Sequence, residues 1–321
     1  MATTTWNRGR DATSPKEIPS TGWKDTLYRV KDGIKLDRIS MVSAATSYYA
    51  LFALIPAITS VVLIYAWISN PADISQHMAM VANFMPAEVR TLLESQLTNL
   101  AGQAGGVGIG AVLSILIALW SASKGTKAFM EAMNIIYDER EERGVIKYNA
   151  LGLGLTLLAI VFSLLAIAVI VGIPAVAGML NIGEAFQTIV TVVSWVVLLA
   201  LFSLFLSCIY RYGPDRNKAK WKWVSWGAVI AAVLWAGASA LFSWYASKYG
   251  DFNKTYGSLG AVIVLMTWFY LSSFVVLLGG EINAELEHQT SRDTTKGKVK
   301  PMGARDAHVA DTVGEAHAKK N

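Results

Sequence analysis

The 321-residue chain has one cysteine, Cys208, and it lies inside an apolar run. A lone thiol can neither close an intrachain disulfide nor build a cysteine metal cluster, which excludes a disulfide scaffold and makes redox chemistry unexpected. Histidine is scarce too. His77, His288, His308 and His317 show no ligand spacing, and no phosphate-cradling glycine loop followed by Lys and Ser or Thr occurs. The expectation is a protein that is not an enzyme, with no catalytic residue, no metal and no cofactor. Charge is thin as well: 16% of residues are Asp, Glu, Lys or Arg, against about 25% in a soluble domain. Nothing reads as a cleavable signal, because the first 40 residues are polar and the first apolar run is too long for a signal core.

What the chain has is hydrophobic length. Apolar residues make up 54% and mean hydropathy is +0.41. Several windows without Asp, Glu, Lys or Arg exceed the roughly 20 residues that cross a hydrocarbon core. Six spans are predicted, near 41–69, 106–123, 149–173, 187–210, 224–247 and 258–280. The Lys and Arg residues before, between and after them number eight, one, five, none, five, two and seven. This alternation is the positive-inside pattern with both termini in the cytoplasm. The fold class is an all-α integral membrane protein of six transmembrane helices, with interfacial amphipathic helices, spanning 21–288. Residues 1–20 and 289–321, polar and poor in aromatics, are expected to be disordered cytoplasmic tails.

Two amphipathic segments accompany the spans. Trp23, Leu27, Val30 and Ile34 recur at spacings of three and four, which reads as an interfacial helix, and "MPAEVRTLLESQLTNL" reads as a second on the outer face. A turn at Gly125 is expected to send the second span into a cytoplasmic segment carrying Phe129, Met133 and Ile136 on one face.

Candidate functional residues fall into three sets. Ser43, Thr46, Ser47, Tyr48 and Tyr49 make the start of the first span polar, and Pro56 removes a backbone bond there, so this segment is a candidate substrate path or a set of helix contacts. Gly102, Gly106 and Gly110 form a stripe for close packing, and Gly257 with Gly260 form a turn that either admits a substrate or allows packing. The run "GGEINAELE" ends the sixth span, which is expected to stop by Gly280 so that no charge is buried. An anion at a helix C-terminus opposes the helix dipole. Glu281 is therefore expected to pair with Arg38, Lys124 or Arg211 beside Asn283, while Glu285 and Glu287 are solvated. The basic aromatic loop "IYRYGPDRNKAKWKW" is too short for a nucleic-acid module and suits anionic lipid headgroups at the cytoplasmic face. No nucleic-acid partner is expected; a second copy of the chain or an envelope protein remains open as a partner.

The runs "DRISMVSAATSYYALFALIPAI", "LWSASKGTKAFMEAMNIIY", "IYRYGPD" and "YGSLGAVIVLMTWFYLSSFVVLLGGEINAELE" occur in an order that resembles the YihY/BrkB family of bacterial inner-membrane proteins. The resemblance spans roughly residues 20 to 288. It implies a six-span helical protein of the bacterial cytoplasmic membrane and carries over no catalytic site. Some members are labelled tRNA-processing ribonuclease, others virulence factors; the residues here give the nuclease label no support. Two functions are compatible with the residues: a transporter or flippase-like protein for a lipid or amphiphilic envelope component, and a membrane scaffold that binds a partner.

Overall fold

The computed structural model describes residues 8–68, 109–173, 184–249 and 259–316. The described residues are helical apart from connections and one isolated bridge between Ala219 and Thr295. In chain order the helices are α1 (Ser20–Leu36), α2 (Ile39–Ile68), α3 (Ile109–Ile136), α4 (Val145–Ile167), α5 (Glu184–Tyr212), α6 (Trp221–Tyr249), α7 (Leu259–Glu287) and α8 (His308–Asp311). A π-turn, Ala168–Gly172, continues α4. The stripe residues Gly102 and Gly106, the turn residue Gly257, His77, His317 and the outer amphipathic segment lie outside the described residues.

Among the described residues five stretches are long and apolar enough to cross a membrane: Ile39–Ile58, Val145–Ile170, Gln187–Tyr212, Trp221–Ala246 and Val262–Glu287. At 1.5 Å per residue a 26-residue stretch covers about 39 Å, more than the ~30 Å hydrocarbon core. The expected second span, within α3, is not among the five. Lys124, Lys127 and Glu131 interrupt the second half of α3, which runs unbroken through Gly125 where a turn was expected. α2 likewise continues through Pro56: a spanning segment keeps its remaining backbone bonds because lipid offers none in exchange.

The chain divides into two compact units, 49–126 with 149–195, and the remainder. In the first, Gly125 of α3 lies against α2; a Cβ there would sit 2.9 Å from the Ala53 Cβ. Thr126 and Thr156 bring their hydroxyls within 2.9 Å, joining α3 to α4.

In the second unit α6 and α7 touch backbone to backbone. A Cβ on Gly227 would lie 2.1 Å from the Gly279 carbonyl, and one on Gly279 would lie 2.4 Å from the Tyr210 hydroxyl. These are the glycines that close packing requires here; of the predicted set, Gly110 is the second residue of α3 and Gly260 is buried near the start of α7. Asn283 locks the same pair of helices, accepting from the Gly227 N–H at 2.8 Å and donating to the Val224 carbonyl at 2.9 Å. Tyr210 donates to the Val276 carbonyl at 2.7 Å, and Trp235 to Ser272 at 2.9 Å.

α1 is not a helix lying free on a surface. Val30 is buried with Trp223, Ile282 and Leu286, and Trp23 and Ile34 pack on that cluster, while Leu27 alone of the predicted face is exposed. The segments expected to be disordered are ordered where described. Arg8 pairs with buried Asp25 at 2.7 Å, and Ala12 and Ile18 are buried. Residues 289–316 form a cap in which Thr290, Thr294, Thr295, Ala307, Val309 and Ala310 are buried. The cap carries few large apolar side chains. Directional bonds hold it instead: Lys220 donates to the Asp293 carbonyl at 2.7 Å, the Asn217 N–H to the Asp306 carbonyl at 2.7 Å, and Arg305 to the Ser291 carbonyl at 2.8 Å.

Candidate functional site

α7 does not end at Gly280. It continues to Glu287 and carries its acids into protein. Glu281 is 2% exposed and Glu287 is fully buried. Glu287, expected in solvent, accepts from both ends of the Arg216 guanidinium at 3.2 and 2.8 Å and from the Thr294 hydroxyl at 2.6 Å. Glu285 accepts from Arg29 Nε at 2.5 Å, and Arg29 also donates to the Gln289 side chain at 2.9 Å. The basic loop is thus partly consumed inside the protein.

Glu281 is different. Its neighbour at the same cavity is another carboxyl, Asp37, and not the expected cation. Arg38 and Lys124 are exposed, and Arg211 stacks on Trp221, 4.5 Å from the ring centre. The local backbone explains the pairing. α1 stops at Asp37, whose N–H donates to the Gly33 carbonyl at 2.9 Å, and Arg38 takes a left-handed conformation (φ 52°) that turns the chain into α2. Asp37 is thereby held at the corner of two helices, facing α7. One turn earlier Gly33 has no side chain, and the Glu281 carboxyl fills that place: a Cβ on Gly33 would lie 1.9 Å from Oε1.

The pair borders a half-open cavity of about 180 Å³ between α1 and α7, lined also by the segment after α3 and by the cap. Its acids are Asp32, Asp37, Asp138, Glu281 and Glu285; Arg29 and His288 are its basic residues. Leu36, Ile136, Ala284 and Val309 complete the wall. Burial pushes the Asp37 carboxyl up to about 6, with Asp138 and Glu285 adding to the rise and the bond from Glu281 opposing it. Two carboxyls at one cavity disfavour each other's ionisation. The second oxygen of Glu281, Oε2, is buried with no hydrogen-bond partner. Such a group is costly for a protein to keep. A second, more open hollow of about 560 Å³ lies on the other side of Asp37, beside Arg38, Met41 and Arg140.

The predicted polar segment of α2 divides. Ser43, Thr46 and Ser47 are buried, but Thr46 and Ser47 donate back to the Val42 and Ala44 carbonyls of their own helix at 2.7 and 2.8 Å. Ser43 Oγ is buried without a partner, whereas Tyr48 and Tyr49 are exposed. His288 and His308, far apart in sequence, come together with ring centres 6.3 Å apart. Among the described residues no three His, Cys, Asp or Glu side chains are arranged to hold a metal ion. Asp37, Gly33, Arg29 and Arg216 escaped the sequence reading. The available signal was a glycine inside an amphipathic helix, one turn before an acid at its end.

The sequence profile of the family described as virulence factor BrkB matches residues 30–303. A ribonuclease-like protein of Bacillus subtilis, YfkH, is 32% identical over 251 residues, 76% of this chain and 88% of that protein. A UPF0761 membrane protein of Photobacterium profundum is 29% identical over 283 residues, 86% of this chain and 84% of the relative. Another from Idiomarina loihiensis is 26% identical over 217 residues, 65% of this chain and 71% of the relative. No solved structure matches.

Proposed function

The chain belongs to the BrkB virulence-factor family of membrane proteins, and from that premise we propose that it is a non-enzymatic carrier or flippase-like protein for a lipid or amphiphilic envelope component. It sits in the bacterial inner membrane with six crossings and both termini in the cytoplasm. The observation that supports transport is the Asp37–Glu281 pair at its cavity. A purely architectural helix corner is at least as stable with apolar residues of the same volume, so a buried acid without a cation points to a moving proton or ligand.

A parity argument supports the six crossings. The Ser291 N–H donates to the Arg10 carbonyl at 2.8 Å, which supports both terminal segments on one side of the membrane. The His308 N–H donates to Glu139 at 2.8 Å, which brings the α3–α4 connection to that side as well. With α2 crossing outward, this favours α3 as the returning crossing. The positive-inside count then makes that side cytoplasmic.

Anionic headgroups are the lipid partners that fit this face. Arg211 is 5% exposed, and its Nε and Nη1 have no hydrogen-bond partner. The ribonuclease-like name of the Bacillus relative is not carried over. Reconstitution tests the reading: proteoliposomes should move a fluorescent lipid or a lipophilic anion faster than empty vesicles, and Glu281→Gln should slow it. Equal rates with and without protein would overturn it. The scaffold reading draws on the open hollow, where Leu36 and Met41 are 79% and 66% exposed. Crosslinking from Met41 that captures no second chain would count against it.

A further inference from the structure

We propose that the cavity between α1 and α7 binds a small alkylammonium group, with Asp37 and Glu281 holding the charged end. The inference uses the same cavity as the transport reading but does not rest on it, because binding of a free amine needs no movement across a membrane.

Charge balance comes first. Arg29 is committed to Glu285 and Gln289, and His288 Nε2 lies 2.7 Å from the Thr312 hydroxyl. Asp138 is within 3.6 Å of His308. Asp37 and Glu281 are left with each other. Both line the cavity, and Glu281 Oε2 is buried without a hydrogen-bond partner. An ammonium carries three N–H donors and a positive charge, which supplies both deficits at once.

Shape selects among cations. A volume of about 180 Å³ is roughly six times a water's share of the liquid, far more than a bare ion fills. The described residues also offer no three-ligand group for a metal. The walls combine carboxyls with Leu36, Ile136, Ala284 and Val309, so the best-matched occupant has a charged end and a short hydrocarbon body. Gly33 shows that α1 is cut back at this point to admit the Glu281 carboxyl.

Binding needs the Asp37 carboxyl ionised, so a proton on it competes with the amine and binding depends on pH. The other charged groups around the pair are Arg29 and Asp32 from α1, Glu285 and His288 from α7, Asp138 after α3 and His308 from α8. Asp37, raised to about 6, is the group whose proton competes.

The test is calorimetric titration of the full chain in maltoside micelles with n-butylamine and 1,4-diaminobutane, at pH 5 and pH 7.5. The expected result is saturable binding, about tenfold weaker at pH 5 because one proton competes, and abolished in Asp37→Asn and in Glu281→Gln. Exposed Glu142→Gln should bind as the native chain does. No saturable binding at either pH overturns the proposal, as does undiminished binding in the Asn and Gln variants. Should those variants fail to fold, the native chain still decides: equal competition by Na⁺ or Mg²⁺, or no weakening at pH 5, refutes an ammonium site. Amine binding without lipid movement would sink the transport reading alone, and the reverse result would sink the amine site alone.

Discussion

Replacing Glu287 by Leu should be among the most damaging single substitutions in the capped unit. The Glu287 and Arg216 side chains are 0% and 2% exposed and joined by two bonds, and the guanidinium also lies 4.9 Å from the centre of the Tyr137 ring. Removing the acid leaves a guanidinium in protein with no counter-charge, which costs about 3–5 kcal/mol. Loss of the Thr294 bond adds about 1 kcal/mol. The double change Arg216→Met, Glu287→Leu removes both charges and should recover most of that loss, because apolar replacements of a buried pair are often neutral. Exposed Arg292 and Asp11, 62% and 47% exposed, provide the contrast; breaking their 3.2 Å pair should cost under about 1 kcal/mol. Denaturant unfolding in micelles, followed by tryptophan fluorescence, measures all four chains. A cost below about 1 kcal/mol for Glu287→Leu, or no recovery in the double variant, would refute the reasoning.

Three further outcomes are expected. Gly227→Ala should force α6 from α7, since the added carbon would meet the Gly279 carbonyl at 2.1 Å; a loss of about 1–3 kcal/mol in the same unfolding assay checks it. Because Asp37 has a folded-state pKa above its unfolded value, its contribution to stability is complete below the ordinary aspartate range and is lost as pH rises through about 6; Asp37→Asn should flatten that fall in a series of unfolding curves. Deleting residues 289–316 should uncover Glu287 and Arg29 and render the α5–α6 loop sensitive to protease, read as new cleavage between Tyr212 and Trp221.

The long apolar helices were legible because lipid imposes one requirement on every residue that it touches, and five of the six predicted spans coincide with helices that qualify by length and composition. The family was legible from four runs in order, and the profile match bears it out. The polar face was not. Thr290, Thr294 and Arg305 read as tail because no apolar periodicity marks them; what orders them is a set of hydrogen bonds to backbone carbonyls and to Glu287, which composition does not encode. Glu281 stood out in the sequence as an acid at the end of an apolar run. Its acidic neighbour was missed because electrostatics alone predicts a cation there, and the space that admits the Glu281 carboxyl beside α1 is created by the missing side chain of Gly33.

The cap also sets an order of assembly. Arg10 donates to the Gly314 carbonyl at 2.6 Å across 304 positions of sequence, and Gln289 donates to the Arg8 carbonyl at 2.7 Å. Residues made early therefore wait for residues made 281 to 304 positions later. Until then Glu287 lacks Thr294 and Arg29 lacks Gln289, so a chain with every helix already inserted is still an unfinished protein. A stalled or truncated product is chemically distinct from the complete one on this face, and a protease that samples exposed loops can tell them apart.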